Sequence, residues 1–241
     1  MNGTTTFQDS QSALSYLQSK YGSANYKSWQ SLRKEWWSYN NYPTAGIPVI
    51  NFFGDSIGQN GITRQLTNMP KSGSFGQNHF LLKAIRCSYF IANNLEDNPT
   101  FAADADVLYS DKINGIFQAG VLEVLIGDRI FVQLPKPFLY APPADGAPEH
   151  YGAGLREITA GTPPAITSET TTVPHAELAG YRDTAYMVDP NILIEAEQHF
   201  EVRLKYDSGA LATIATGVVD DTDNPLYVGV VFDGIVFRPV Q

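Results

Sequence analysis

The acidic stretch from residue 220 to residue 224 is the strongest candidate for a metal site in this sequence. It reads Asp-Asp-Thr-Asp-Asn, so several hard oxygen ligands stand together on one predicted loop. Ca²⁺ takes six to eight oxygen ligands, which this composition suits, although the spacing of an EF-hand and its glutamate are absent. We expect no cofactor and interpret the stretch as a solvated acidic turn. The alternative is a Ca²⁺ site at Asp220, Asp221 and Asp223.

Ser56 lies in the stretch that most resembles a catalytic site. The run Phe53-Gly54-Asp55-Ser56 resembles the first block of the SGNH (GDSL-type) esterases, in which the serine is the nucleophile. Such a serine needs a base that is oriented by an acid, and that family supplies both from a late Asp-x-x-His. No aspartate in this chain is followed three residues later by histidine. An esterase that uses Ser56 is therefore a remote alternative, and we predict a protein that is not an enzyme.

The histidines and the cysteine add no further catalytic pattern. The four histidines are scattered along the chain, and no two of them are four residues apart. Cys87 is the only cysteine, which excludes an internal disulfide and a cysteine-rich zinc site. Its apolar surroundings predict a buried, inert thiol.

Charge is scarce and unevenly distributed. Charged residues make up 17% of the chain, below the roughly 25% that is typical of soluble domains. Residues 1–40 carry a net charge of +2, whereas the whole chain carries −9. This balance argues against a nucleic-acid-binding protein. A surface poor in charge suits a protein that buries much of itself against copies or partners, and an ordinary β domain with a polar, uncharged surface is the alternative.

The first forty-two residues are predicted to form a helical arm. Phe7, Leu14, Leu17 and Tyr21 recur at helical spacing, and a second helical pattern runs from residue 26 to residue 39. All three tryptophans fall within this second pattern, close to basic residues. Such segments lie at membrane surfaces or dock on a neighbouring subunit, and the alternative is that the tryptophans pack under the protein's own β body. The predicted interfacial residues are Trp29, Arg33, Lys34, Trp36 and Trp37.

From Pro43 onward the sequence has the pattern of an all-β protein. The clearest hairpin covers 121–134, where two apolar runs flank Gly127-Asp128. Residues 199–206 alternate between apolar and charged side chains, which predicts a half-exposed antiparallel strand.

Three further stretches refine this prediction. Residues 79–92 are apolar on both faces, which favours a central strand over a helix. Eight of the 15 prolines fall within 135–174, so this region is predicted to be a long loop or a connector. Residues 226–241 predict a buried strand, with Asp233-Gly234 as a bulge within it.

Three stretches also carry a resemblance to a known family. They read ITRQLTNMPKSGSFGQNHFLLKAI (62–85), AGVLEVLIGDRIFVQLP (119–135) and VVFDGIVFRPVQ (230–241). Together they are similar to the double jelly-roll major capsid proteins of tailless icosahedral phages with an internal membrane. The resemblance implies a mainly β fold: an α-helical N-terminal arm at 1–42, then jelly-roll β-sandwiches at 43–143 and 144–241. A single jelly roll with a long excursion over 135–174 is the alternative.

The resemblance implies a structural protein of a bacteriophage virion. In that family three copies form a homotrimer with a pseudo-hexagonal outline, and these capsomers build an icosahedral capsid around an internal membrane. The implied partners are neighbouring capsomers, penton and minor capsid or membrane proteins, and the lipid surface, which the N-terminal arm would contact. Direct sequence-specific binding of nucleic acid is not expected. The protein would be made in the host cytoplasm and would end in the capsid shell. The alternative is a single jelly-roll carbohydrate- or receptor-binding module of a phage.

Overall fold

The computed structural model describes residues 5–21, 28–91, 116–117, 119–135, 185–206 and 225–240. These residues form one helix and nine strands, so the prediction of a mainly β protein is confirmed. In chain order the elements are β1 (Thr5–Phe7), α1 (Ser10–Tyr21), β2 (Ser28–Tyr42), β3 (Val49–Phe52), β4 (His79–Ile91), β5 (Val121–Ile126), β6 (Arg129–Pro135), β7 (Tyr186–Ile194), β8 (Phe200–Lys205) and β9 (Leu226–Val240).

Strands β2 to β9 pair as the two arms of one long ribbon that is folded back on itself. Four antiparallel ladders nest inside one another: β2 with β9, β3 with β8, β4 with β7, and β5 with β6. Two more ladders, β4 with β9 and β5 with β8, roll this ribbon into two sheets. The strand orders are β1-β7-β4-β9-β2 in the five-stranded sheet and β3-β8-β5-β6 in the four-stranded sheet. Eight strands in this order form a jelly roll, in which two sheets fold over one core.

Strands from before and after residue 143 alternate within both sheets. β4 lies between β7 and β9, and β8 lies between β3 and β5. The described strands therefore form one jelly roll, which differs from the consecutive sandwiches expected at 43–143 and 144–241. The difference arises because sequence patterns mark where strands lie, whereas long-range pairing decides which strands share a sheet. Residues 136–184, which contain the expected boundary, lie outside the described residues.

The hydrophobic core lies between the two sheets and takes side chains from both. Phenylalanine rings meet at its centre: the ring of Phe75 lies 4.6 Å from that of Phe200 and 4.7 Å from that of Phe80, centroid to centroid. β8 shows the alternation that its sequence predicts, because Phe200, Val202 and Leu204 are buried while charged residues stand between them. Burial of side chains of this size is worth roughly 1.5–3 kcal/mol each, so this core dominates the stability of the fold.

Residues 28–42 form a strand, and the prediction of a second helix there is wrong. All 15 residues of β2 pair in register with β9. Trp36 and Tyr42 are buried in the core between the sheets, and Trp37 lies on the opposite face because successive side chains of a strand alternate. The helical spacing of the aromatic residues was misleading, since pairing with a long apolar neighbour strand outweighs local periodicity.

Helix α1 forms where the spacing of Leu14 and Leu17 predicts a helix. Asp9 caps it, because the Asp9 carboxylate accepts hydrogen bonds from the backbone N–H of Ser12 at 2.8 Å and from the Ser12 hydroxyl at 3.0 Å. Its two fully buried side chains, Ala13 and Leu17, lie four residues apart and therefore share one face.

β9 is an inner strand of the five-stranded sheet, between β2 and β4, and most of its side chains are buried, which confirms the prediction of a buried strand. The bulge predicted at Asp233-Gly234 is found on the neighbouring strand instead. Lys83 is the extra residue of β4 at this point, because Leu82 pairs with Gly234 and Ala84 pairs with Asp233. A side chain at position 234 would overlap the carbonyl oxygen of Leu81. Glycine is therefore needed where the two backbones approach this closely.

Candidate interaction surface on the five-stranded sheet

The outer face of the five-stranded sheet, on the side away from the core, is the candidate functional surface. Helix α1 covers one part of it. There, Ala13 and Leu17 pack against an apolar patch formed by Leu81, Leu193 and Phe237, and all five side chains are buried. β1 belongs to the sheet itself, as the edge strand that pairs with β7. Helix α1 is thus held on the sheet by an apolar contact that is separate from the core.

A carboxylate with little exposed surface binds the C-terminal half of α1 to the sheet. Glu195 follows β7 and accepts hydrogen bonds on both carboxylate oxygens from Lys20 Nζ at 2.6 Å. It also accepts hydrogen bonds from the Tyr16 hydroxyl at 3.3 Å and from the Tyr21 hydroxyl. The Glu195 side chain is 10% exposed and that of Lys20 is 32% exposed. Charge-assisted hydrogen bonds that are this sheltered from water are stronger than those of a surface pair.

The members of this cluster shift one another's pKa values. Burial by itself raises the pKa of Glu195, but the hydrogen bonds from Lys20 and Tyr21 together outweigh it and lower that pKa. Burial likewise opposes the charge on Lys20, yet its interactions, chiefly with Glu195, raise the pKa of Lys20. Burial and the bond to Glu195 raise the pKa of Tyr21 to about 12. Glu195 and Lys20 are therefore both charged at neutral pH, and Tyr21 remains a donor.

His79, the first residue of β4, completes what we call the Glu195 cluster (Glu195, Tyr16, Lys20, Tyr21 and His79). His79 is 4% exposed, and its ring lies 5.0 Å from that of Tyr21 and 5.6 Å from that of Trp29. Its Nδ1 accepts a hydrogen bond from the backbone N–H of Ala196 at 3.1 Å, so the neutral ring carries its proton on Nε2. Burial is the main cause that lowers the pKa of His79 to about 4.

A second part of the outer face is an open groove of about 410 Å³. Charged side chains of both signs lie along it. Arg33 pairs with Asp233 at 2.7 Å, and Arg86 pairs with Glu35 at 2.6 Å. Lys83, placed by the bulge in β4, also lines the groove. Three cations and one carboxylate therefore line the groove, in a chain whose net charge is −9.

The three tryptophans that were predicted to form an interface lie in three different environments. Trp29 is half-buried and packs with the apolar patch beneath α1. Trp36 is 2% exposed in the core, with its ring 5.2 Å from that of Phe75. Trp37 is half-buried, and its Nε1 donates a hydrogen bond to the backbone oxygen of Arg64 at 3.2 Å. Trp29 and Trp36 thus pack within the protein's own body, which was the alternative interpretation.

The two cations of the predicted interface are exposed but already in contact with neighbours. Arg33 takes part in the pair with Asp233. Lys34 extends over the ring of Trp36, with Nζ 3.7 Å from the ring centroid. Because they alternate along β2, Arg33 and Lys34 project from opposite faces of the sheet, so the five predicted residues do not share one surface.

Ser56 is buried in the loop after β3, where its backbone N–H donates a hydrogen bond to Gln59 at 3.3 Å. Neither of the two described histidines is bonded to it. His79 belongs to the Glu195 cluster, and His199 lies 3.3 Å from Glu201. Within the described ranges, the fold therefore brings no histidine base to this serine.

Asp220, Asp221 and Asp223 lie outside the described residues, so the structure does not place the candidate Ca²⁺ site. In the part of the chain that is described, no group of three or more histidine, cysteine, aspartate or glutamate residues could hold a metal ion.

Cys87 is buried, as its surroundings predict. Of the described segments, none forms a helix long and apolar enough to cross a bilayer.

The Glu195 cluster is the part of this surface that sequence reasoning missed. Lys20 is visible in the sequence as a basic residue in the last turn of a helix, but its partner is 175 positions away. The one available signal is that Glu195 directly follows the apolar run at the end of β7.

No family model, curated protein or solved structure matches this chain.

Proposed function

We propose that this chain is the major capsid protein of a tailless icosahedral phage with an internal membrane, a structural subunit and not an enzyme. The observation that carries the proposal is the jelly roll, a ribbon of eight strands rolled over one core. Jelly rolls build viral capsids and also occur in lectins and cupins. The sequence resemblance favours the capsid, because the three resembling stretches reach into β4, the β5–β6 hairpin and β9.

The low charge of the chain supports the same proposal. A shell subunit buries much of its side surface against neighbouring copies, and the cores of protein interfaces are depleted in charged residues. Charged residues make up 17% of this chain. A subunit with few charges loses little hydration free energy when its side walls come into contact.

In this proposal the copies assemble into capsomers with a pseudo-hexagonal outline. The resemblance implies two jelly rolls per chain, and the capsomer is then a homotrimer. The described strands supply one jelly roll, and with one roll per chain the same outline requires a hexamer. For a chain of 26.5 kDa the two assemblies have masses of about 80 and about 160 kDa.

Lipid contact is proposed for the N-terminal residues 1–42. Arg33 and Lys34 are exposed, and cations near a surface are attracted to anionic headgroups. Trp36 does not contribute to this contact, because it is buried in the core. Penton proteins and minor capsid or membrane proteins would meet the capsomer from neighbouring positions in the shell.

Light scattering coupled to size-exclusion chromatography tests the assembly, with negative-stain images of the same fractions. We expect a trimer, a hexamer or shell-like particles at micromolar concentrations. A stable monomer over the whole concentration range contradicts the proposal.

Flotation with anionic and neutral vesicles tests the lipid contact. The double variant Arg33→Glu/Lys34→Glu is expected to float less with anionic vesicles than the unaltered chain. Lys71→Glu/Lys205→Glu is the matched control, because both are exposed lysines outside residues 1–42 and the net charge changes by the same amount. Equal flotation of the double variant and the unaltered chain contradicts the lipid contact.

A carbohydrate- or receptor-binding jelly roll is the second candidate. β2 places Trp37 and Tyr39 on the sandwich itself and not in a separate helical arm, and both side chains are half-buried. A glycan array decides this point. Binding that Trp37→Ala abolishes without unfolding the protein supports the candidate, and an array without hits removes it.

A further inference from the structure

Helix α1 is attached to the rest of the protein by contacts that are independent of the core. We propose that the Glu195 cluster is an acid-sensitive attachment: protonation of His79 or Glu195 releases α1 and uncovers the apolar patch beneath it, while the jelly roll stays folded. The proposal does not rest on the capsid function.

The apolar contacts of α1 can separate without opening the core. Ala13 and Leu17 belong to a buried cluster with Leu81, Leu193 and Phe237, and none of these five residues belongs to the cluster between the sheets. β1, the other N-terminal element, adds a ladder of only three residue pairs. Release of α1 therefore exposes the apolar patch and leaves the eight-stranded roll intact.

The polar contacts of α1 converge on one acceptor. Lys20, Tyr16 and Tyr21 all donate hydrogen bonds to the Glu195 carboxylate. Protonation of Glu195 removes the ion pair and leaves the Lys20 ammonium without its counter-charge at a site that is partly shielded from water. One protonation thus weakens three contacts of the same helix.

Protonation of His79 acts in the same direction. Its Nδ1 accepts the hydrogen bond from Ala196, and an imidazolium has no acceptor nitrogen, so that bond is lost. The new positive charge also lies near Lys20, which disfavours it, and near Glu195, which favours it. The ring packs between Tyr21 of α1 and Trp29 of β2, so its hydration requires these side chains to move apart.

The groups that face the cluster determine the pH range. α1 contributes Lys20, Tyr16 and Tyr21, β4 contributes His79, the turn after β7 contributes Glu195, and Trp29 of β2 is uncharged. Since burial lowers the pKa of His79 from 6.5 to about 4, the attachment is complete above about pH 6.5 and weakens as the pH falls toward 4. The lowered pKa of Glu195 adds a further loss below its ordinary value of 4.5.

The experiment measures the exposure of the buried face of α1 with a thiol introduced by Ala13→Cys, since Ala13 is small and fully buried. Dithiodipyridine, which reacts in acid, labels this thiol, and rates are divided by those of a free peptide thiol at each pH. The buried thiol of Cys87 reports opening of the core in the same sample. Between pH 7.5 and pH 5 we expect the corrected labelling rate of the introduced thiol to rise about 30-fold, while Cys87 stays unlabelled.

Two variants in the Ala13→Cys background identify the groups responsible. Glu195→Gln is expected to label rapidly at pH 7.5, whereas Glu197→Gln, which removes the exposed partner of Lys71 two positions away, is the matched control and should label slowly. His79→Asn keeps a neutral acceptor for the backbone N–H of Ala196. In this variant the labelling rate of the introduced thiol should increase much less between pH 6.5 and pH 4. The proposal is overturned if Glu195→Gln labels as slowly as the control, or if both thiols become reactive together.

Discussion

Lys34 Nζ lies 3.7 Å from the centroid of the Trp36 ring, at the point where the tryptophan enters the core. The same ring lies 5.2 Å from that of Phe75, centroid to centroid. The tryptophan is thus enclosed by an aromatic ring inside the sandwich and a cation at its margin, a geometry that stabilises the pair by about 0.5–1 kcal/mol at exposed sites. Trp36 therefore stabilises the core, although it was predicted to belong to an interface together with its neighbours in the sequence.

Replacement of Trp36 is therefore expected to destabilise the protein. Trp36→Ala should lower the free energy of unfolding by about 3–5 kcal/mol, because it leaves a large cavity. Urea denaturation followed by circular dichroism measures the change. Trp37→Ala is the control, since Trp37 is only half-buried, and should cost clearly less. Equal losses for the two variants would contradict the assignment of Trp36 to the core.

Gly229 and Tyr39 form a close contact across the β2–β9 ladder. A Cβ at position 229 would overlap the Tyr39 ring, which lies across the glycine. Gly229→Ala is expected to destabilise the protein by about 1–3 kcal/mol, the range for overpacking. Tyr39→Ala in the same chain should recover part of that loss, which a double-mutant cycle measures.

Gly54→Ala is the matched control for this cycle, because nothing lies within 4 Å of a side chain added there. Its free energy of unfolding should stay within about 0.5 kcal/mol of the unaltered chain. Additive effects of Gly229→Ala and Tyr39→Ala would show that the two residues are not in contact.

Cys87 is expected to be unreactive in the folded protein. Its thiol is buried, and burial raises the pKa of Cys87, so the reactive thiolate is strongly disfavoured. At pH 8 we expect no reaction with Ellman's reagent in native buffer and one thiol per chain in denaturant. Stoichiometric labelling under native conditions would contradict the position of Cys87 in the core.

Glu123 is a buried carboxylate on the four-stranded sheet. It accepts hydrogen bonds from Arg203 Nε at 2.6 Å and from Gln133 Nε2 at 3.2 Å, and its side chain is 7% exposed. Glu123→Gln is expected to cost about 1–3 kcal/mol of unfolding free energy, because a charged hydrogen bond is lost at a buried position. Glu201→Gln, which alters an exposed carboxylate near His199, should change stability much less in the same urea titration.

Local sequence patterns predicted those strands whose signal comes from residues close together in the chain. The Gly127-Asp128 pair predicts the hairpin that joins β5 and β6, and the alternation around Phe200 predicts β8. Both signals depend on residues a few positions apart. The structure forms these elements where the patterns place them.

Long-range pairing explains what the sequence did not predict. Trp29, Trp36 and Tyr39 fall at helical spacing, yet β2 is a strand because β9, about two hundred residues later, pairs with its whole length. The Lys20–Glu195 pair spans 175 positions, and neither residue belongs to a motif. The Arg33–Asp233 pair across β2 and β9 could be found only after the register of that ladder was known.

The place of β9 in the sheet has a consequence for biosynthesis. Among the described strands, β2 pairs only with β9, so β2 leaves the ribosome about two hundred residues before its partner. Until residues 226–240 emerge, the aromatic side chains of β2 lack the neighbour that buries them. Such non-local closure is slow and leaves hydrophobic surface exposed during folding. The nascent chain should therefore depend on chaperones until synthesis of this strand is complete.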